Sequence, residues 1–164
     1  MLSGKERESY ALEVMAEVRR WPGVELREHA SADAAGETDG IEFRLNGRQV
    51  GHVHRDCSLH LPLTKALKEH VVGERLAQPL AFAPTSGWAM FTPLTLTDAK
   101  QAIWLLRLNY VRLRRQRLTP LAAASSPLLK EHEKALGDVS PTVSLLLQRT
   151  QARMKPRPLP SLEA

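Results

Sequence analysis

Apolar residues recur at spacings of three and four from residue 5 to Trp21. Ala11, Val14, Val18 and Trp21 fall among glutamates and arginines, and this spacing predicts an amphipathic helix over residues 5–20 that Pro22-Gly23 stops. Val24-Glu25-Leu26-Arg27 alternates as a short extended segment, and residues 31–40 carry turn chemistry with little to bury. The clearest local signal follows: Ile41–Leu45 and Arg48–His54 are alternating runs joined by Asn46-Gly47, the dipeptide that best supplies positive φ at both turn positions. In a two-residue hairpin Leu45 faces Arg48, Phe43 faces Val50 and Ile41 faces His52. Directly opposed side chains share a face, so His52 and His54 are expected on the apolar one. A second tight connection at Asp56-Cys57 would pair His54 with Leu59 and His52 with Leu61, leaving His60 on the other face beside Val53.

Pro62 ends this meander, and Thr64 is placed to cap a short helix over 65–72 that Gly73 closes. Residues 76–85 read as irregular. Gly87–Phe91 is apolar at both parities, the pattern of a strand covered on both faces. Thr97 is the expected cap of the strongest helix, whose stripe is Ala99, Ile103, Leu106, Tyr110 and Leu113. Beyond Leu118, Thr119-Pro120, Ser126-Pro127 and Ser140-Pro141 each set a capping hydroxyl before a proline. Short helices are expected over 127–136 and 141–153, followed by a proline-rich, disordered tail.

Helix, antiparallel meander, helix, strand and long helix in that order define an α+β layer in which helices cover one face of a small sheet. The expected division is an α+β domain over 1–118, a helical extension over 119–154 that packs on the core or a partner, and a tail over 155–164. The chain's 164 residues suffice to bury a core without staples, and its single Cys57 cannot form an internal disulfide. No apolar run approaches the roughly 18 residues that span a bilayer, and the first residues lack an apolar leader, so a cytoplasmic protein without a membrane partner is expected. Charge is uneven: residues 1–63 are net −3 and residues 64–164 net +8.

Four motifs in order give a more specific likeness: Phe43-Arg-Leu-Asn-Gly-Arg-Gln-Val-Gly-His-Val-His54, Leu61-Pro62-Leu63, Pro84-Thr-Ser-Gly-Trp88, and Ala102-Ile-Trp-Leu-Leu-Arg-Leu-Asn-Tyr110. Together, across roughly residues 15–115, they resemble the luciferase domain family of small, mostly bacterial proteins with no settled activity, distinct from the flavin-dependent barrel luciferases. The layout is also similar to small double-wing proteins, by analogy of fold alone. One departure stands out. The family carries a histidine between the short helix and the Gly-Trp strand, where this chain has Pro79-Leu-Ala-Phe82.

The candidate chemistry centres on the sheet histidines. His52 and His54, two apart on one strand face, could polarise the end of an apolar pocket and, with Trp88, Arg107 and Tyr110, bind a small ligand or a protein. The simpler alternative is structural: core-edge histidines, a packed Trp88 and a solvated Arg107. The same spacing, with Asp56 and Cys57 close by, suits two metal ligands, but His60 is expected to face away and a closed site needs more donors, so neither a metal nor a cofactor is expected. Cys57 with a histidine could form a nucleophile pair, yet no oxyanion hole or third group is identifiable, and no catalytic residue is assigned. His54-Arg55-Asp56 copies a kinase tripeptide without the rest of that machinery. Arg112, Arg114, Arg115 and Arg117 form either a solvated helix face or a stripe for nucleic-acid phosphates, the alternative function. A histidine-dependent enzyme is a third. The C-terminal leucines 128, 129 and 145–147 are expected to cover the core or, failing that, to mediate self-association.

Overall fold

A computed structural model describes residues 4–149; the expected tail and the end of the last helix lie outside the described residues. The elements are α1 (Gly4–Val18), β1 (Val24–Ala30), β2 (Thr38–Leu45), β3 (Arg48–Val53), β4 (Leu59–Pro62), α2 (Lys65–Gly73), β5 (Gln78–Pro79), β6 (Trp88–Phe91), α3 (Leu96–Arg115), α4 (Pro120–Ser125), α5 (Pro127–Leu136) and α6 (Pro141–Arg149). The strands form one antiparallel sheet in the order β1-β2-β3-β4-β6-β5. α3 lies on β3 and β4, α1 and α5 pack on α3, and α6 packs on α2 and α3. The result is an α+β fold with the core between the sheet and its helical layer.

Local capping chemistry explains most helix starts. The hydroxyls of Thr64, Thr119 and Ser126 accept from the backbone N–H of Leu67, Ala122 and Leu129, and α4 and α5 each begin with proline. α3 begins earlier than expected. Thr95, not Thr97, is its cap: the Thr95 hydroxyl accepts from the Asp98 N–H at 3.1 Å while the Asp98 carboxylate accepts from the Leu94 N–H at 3.0 Å. α3 is also buried far beyond its predicted stripe, at Ala102, Leu105, Leu108 and Val111 as well, because the sheet covers one side and α1 and α5 cover the other. The sequence reading passed over α4 as a helix, although it noted its Thr119-Pro120 start.

The hairpin forms at Asn46-Gly47, with φ of 51° and 79°, and Leu45 faces Arg48 as expected. One step further the register shifts. Arg44 pairs with Gln49 but Phe43 pairs with Gly51, so Val50 is the extra residue of a β-bulge. α3 stabilises it: the buried Asn109 side-chain amide donates to the Val50 carbonyl at 2.7 Å, and Arg112 Nε in turn donates to Asn109 Oδ1 at 2.8 Å. Gly51 lets the helix approach, since a Cβ there would lie 2.6 Å from Leu106 Cδ2 and 3.0 Å from the His60 carbonyl.

The second connection is also one residue longer than expected. The His54 N–H donates to the Ser58 carbonyl at 2.9 Å and the Cys57 N–H to the His54 carbonyl at 3.0 Å, which makes Arg55–Cys57 a three-residue loop with Cys57 in the left-handed region at φ 69°. His52 therefore pairs with Glu42 on one side and His60 on the other, and Val53 pairs with Ile41 and Leu59. This corrects the expected pairings of Phe43 with Val50, Ile41 with His52, His54 with Leu59 and His52 with Leu61. Since side chains alternate, the residue added on each side of β3 turns over the faces of His52, Val53 and His54, while Ile41, Phe43, Leu59 and Leu61 keep the apolar face expected of them and His60 the other. Val53, Leu59 and Leu61 enter the core, and His52, His54 and His60 share the face away from the helices.

The bulge geometry makes a stability prediction. Asn109→Ala leaves the Val50 carbonyl and Arg112 Nε without their partner and is expected to cost about 2–3 kcal/mol in urea unfolding, against below about 0.5 kcal/mol for substitution of exposed Lys100 on the same helix. An Asn109→Ala loss no larger than that of Lys100→Ala would show that the bulge does not depend on this contact.

Candidate functional site

Four of the six histidines meet on the outer face of the sheet. His52 and His60 are cross-strand neighbours on β3 and β4, His54 follows β3 on the same side, and His29 reaches over from β1. The His29 and His52 rings stack with centroids 3.7 Å apart and planes 14° off parallel. His54 is the hub: its Nε2 lies 3.0 Å from His52 Nε2 and 3.0 Å from His60 Nδ1, while its Nδ1 lies 2.6 Å from Asp39 Oδ2.

Donor roles follow from the outer partners. The Gln49 side-chain amide donates to His52 Nδ1 at 2.9 Å and to Glu42 Oε2 at 3.1 Å, so a neutral His52 carries its proton on Nε2 and donates to His54. His54 donates from Nδ1 to Asp39. Its single Nε2 lone pair is then shared by the His52 and His60 N–H groups, a three-centre arrangement, and neutral His60 keeps an acceptor lone pair on Nε2. Asp39 is fixed in turn by the Arg55 N–H at 3.2 Å. It can come this close because Gly40, at φ 103°, lies against the strand opposite: a Cβ at 40 would stand 1.9 Å from the Val53 carbonyl oxygen.

Burial on this face is unusual for an outer sheet surface. His52 is only 4% exposed, roofed by His29 and by Trp88, whose ring centroid is 5.7 Å away. Desolvation, reinforced by the neighbouring His29, His54 and His60 rings, pushes His52 down to about 3. Burial and then His54 push His60 down to about 4. The Asp39 carboxyl is held below its ordinary value, chiefly by the hydrogen bond from His54. Burial would raise Asp56, but the Ser58 hydroxyl and N–H, at 2.6 and 2.8 Å, outweigh it and keep the carboxyl low.

Among the described residues, two clefts touch the cluster, and His54 borders both. On the outer face a cleft of about 270 Å³ runs between His60 and His54 on one side and Leu80, Phe82 and Met90 on the other. Phe82, 80% exposed, has its ring centroid 6.2 Å from His60. A second cleft, of about 490 Å³, opens between α1 and strands β2 and β3 along Ala11, Met15, Ile41 and Val53, with His54 and Cys57 at one end. Only the outer cleft borders more than one of the clustered imidazoles. His54 with Asp39 can accept or pass a proton, His60 can accept a hydrogen bond, and His29, His52 and His54 each offer a nitrogen within 4.8 Å of the others.

Of the five residues read from the sequence as one ligand site, His52, His54 and Trp88 come together. Arg107 and Tyr110 do not, because they face into the helical layer on the other side of the sheet. Arg107 donates to Glu17 Oε1 at 3.0 Å, contacts His132 Nδ1 at 2.9 Å and lies 4.6 Å over the Trp21 ring. Tyr110 is fully buried, and its hydroxyl donates to the Pro22 carbonyl at 2.8 Å. Burial would raise Glu17, but Trp21, Arg107 and Arg20 hold it below the usual carboxylate range.

The arginines at the end of α3 are also engaged within the chain. Arg112, 5% exposed and lowered to about 10 by burial and then by Arg48, donates to the Pro62 carbonyl. Arg114 donates to the Pro22 carbonyl, Arg115 to Glu133 and Arg117 to the Asn46 carbonyl. Cys57 is buried with its thiol pushed up by desolvation and by Asp56, the opposite of an activated nucleophile. His29, Asp39, Gln49 and His60 are the members of the site that the sequence reading did not assign to it. Gly51, a glycine inside a strand, was the available sign of the bulge that brings them together.

The fold and this face together define a class: an α+β domain with one helix-covered sheet face and an imidazole cluster on the other. The family enters through β3 to α3, where residues 47–109 match the family model of the luciferase domain. His52, His54, His60, Trp88 and Asn109 lie within the match, while His29 and Asp39 lie before it. No curated protein and no solved structure matches the chain. Among the described residues no helix is long and apolar enough to cross a membrane.

The lowered values of His52 and His60 set the direction of a pH effect. Between about 4 and their ordinary value near 6.5 the folded protein binds fewer protons than the unfolded chain, so stability falls as pH drops through that window. Urea unfolding of metal-free protein between pH 7 and 4.5 is expected to show uptake of at least about two protons on unfolding near pH 5, since His132 and Glu17 are lowered too, and that uptake is reduced by about one in His52→Gln. A stability that does not change from pH 7 to 4.5 would mean that the two rings are not held neutral.

Proposed function

We propose that this chain is a small-molecule binding module whose ligand lies in the outer cleft, with an apolar body against Phe82 and Met90 and a hydrogen-bond-donating head on His60. The observation that carries the reading is the one-way chain of hydrogen bonds through Gln49, His52, His54, Asp39 and His60. It leaves an acceptor nitrogen at a cleft whose opposite wall is apolar. A pocket of mostly apolar wall with a few fixed polar atoms is the usual form of a small-ligand site. The engagement of the α3 arginines with acceptors of their own chain supports this reading over phosphate binding, which gains no observation in its favour. The buried, unpaired Cys57 thiol supports a cytoplasmic setting.

A hydroxylated aromatic tests the reading directly. Metal-free, ¹⁵N-labelled protein titrated with p-cresol is expected to show a saturable shift of the His60 imidazole nitrogens. Toluene, which lacks the hydroxyl, is expected to bind about fivefold to tenfold more weakly, the value of one neutral hydrogen bond. His60→Ala should abolish the difference between the two probes, and Phe82→Ala should weaken both. Equal affinities in the unsubstituted protein, or no saturable shift with either probe, would overturn the proposal.

A further inference from the structure

The same outer face carries a second, separate possibility of binding. His29, His52 and His54 each present a ring nitrogen, and these three atoms lie within 4.8 Å of one another. The tightest pair, His52 Nε2 and His54 Nε2, is 3.0 Å apart. Tetrahedral coordination with metal–nitrogen bonds of about 2.0–2.1 Å sets neighbouring nitrogens about 3.3 Å apart, so to share an ion the pair needs a movement of a few tenths of an ångström and a shift of the His52 proton from Nε2 to Nδ1, where the turned Gln49 carboxamide oxygen would accept it.

Three further features are those of a ligand set. His54 gives its Nδ1 proton to Asp39 at 2.6 Å, which directs the Nε2 lone pair into the cluster and raises its basicity, as outer carboxylates do for metal-bound histidines. A second carboxylate, Glu42, lies 3.6 Å from His29 Nδ1 and 3.1 Å from Gln49, so two carboxylates border the three imidazoles. The rings stand on rigid elements: His52 is in β3, His54 lies two residues on along the same face, and His29 is in β1, already stacked on His52. Neutral nitrogen donors select ions such as zinc, nickel, cobalt or copper over magnesium or calcium, which take oxygen.

We propose that His29, His52 and His54 bind one divalent transition-metal ion, with Asp39 as the residue that positions His54. His60 gives up its Nδ1 bond to His54 Nε2 when that nitrogen takes the ion; it borders the ion and is not required to hold it. The site does not rest on the small-molecule reading above. Its third ligand and its positioning carboxylate both lie outside the family-matched segment, so the N-terminal strands of this chain complete it.

The test uses tag-free full-length protein, stripped with EDTA and desalted, and titrated with CoCl₂ by absorption and with ZnSO₄ by calorimetry. One ion per chain, micromolar affinity or tighter and visible Co²⁺ bands of low coordination number are expected. His54→Ala and His29→Ala should each lose at least about 100-fold in affinity, and Asp39→Asn about 10-fold to 100-fold, since an outer partner acts through its ligand. His29 is half-buried in β1, so its replacement keeps the proposal testable should changes nearer the middle of the sheet unfold the chain; circular dichroism checks each variant. His60→Ala and His70→Ala, the latter on α2 away from the cluster, should bind as the unsubstituted protein does. No saturable binding, undiminished binding in His29→Ala, or a loss in His70→Ala as large as in His54→Ala would each overturn the site. Because the p-cresol titration depends on His60 and is run without metal, failure there leaves a distinct signature from failure here.

Discussion

The carboxamide of Asn109, carried by the central helix, reaches the carbonyl of Val50 in the sheet, and the arrangement on both sides of the sheet depends on that contact. The carbonyl belongs to a residue displaced from the ladder, and in the dry space under a helix it needs another donor. Asn109 supplies it, and Arg112 orients Asn109 while its other nitrogen reaches Pro62. Through these bonds α3 is tied to the bulge in β3 and to the end of β4. The two strands that carry His52 and His60 are therefore positioned by the buried layer beneath them.

The two sides of the sheet handle polarity in opposite ways. Under the helices, charge is neutralised in place: guanidinium groups reach carbonyl oxygens and glutamates, and aromatic rings fill the space between them, as with Arg107 over Trp21 and the tilted Trp21–Tyr110 pair at 5.3 Å. On the outer face the polar groups are mostly weak bases with two states apiece, and they are hydrogen-bonded to one another. The first arrangement is rigid and single-valued. The second leaves each ring a choice of which nitrogen carries hydrogen. The basic excess of the second half of the chain, which from charge alone could have marked a surface for anions, is in part a structural device of the first kind.

Features encoded locally were legible in the sequence. Asn46-Gly47 needs only its own backbone to make a turn, and Thr64 and Ser126 need only the next helical turn to act as caps. The α+β class followed from the order of such elements. What escaped was set by distant parts of the chain: the bulge at Val50 is held by a residue 59 positions later, and the three-residue loop ends with Cys57 in a conformation usually left to glycine. Each adds one residue, and the two errors agree with each other, so the sequence supports a consistent register in which β2 and β4 have their true faces and β3 alone is turned over. His52 and His54 were recognised as the chemically interesting pair, but His60 was assigned to the opposite face. Arg107 and Tyr110 were joined to them because they share a motif in sequence, whereas they are on the other side of the sheet in space. Thr95 was passed over for Thr97, both being acceptable caps by type; the aspartate three residues after Thr95 decides between them.

Gly40 illustrates how little material such a site needs at a decisive point. Its missing side chain lets two segments of backbone touch, and that contact brings Asp39 within reach of an imidazole 15 residues away. The carboxylate then determines which of two chemically similar nitrogens holds hydrogen and which is left basic. The tautomer of His54 is thus written into the chain partly as an absence: one methyl group's volume left out of residue 40 decides which of its nitrogens keeps hydrogen.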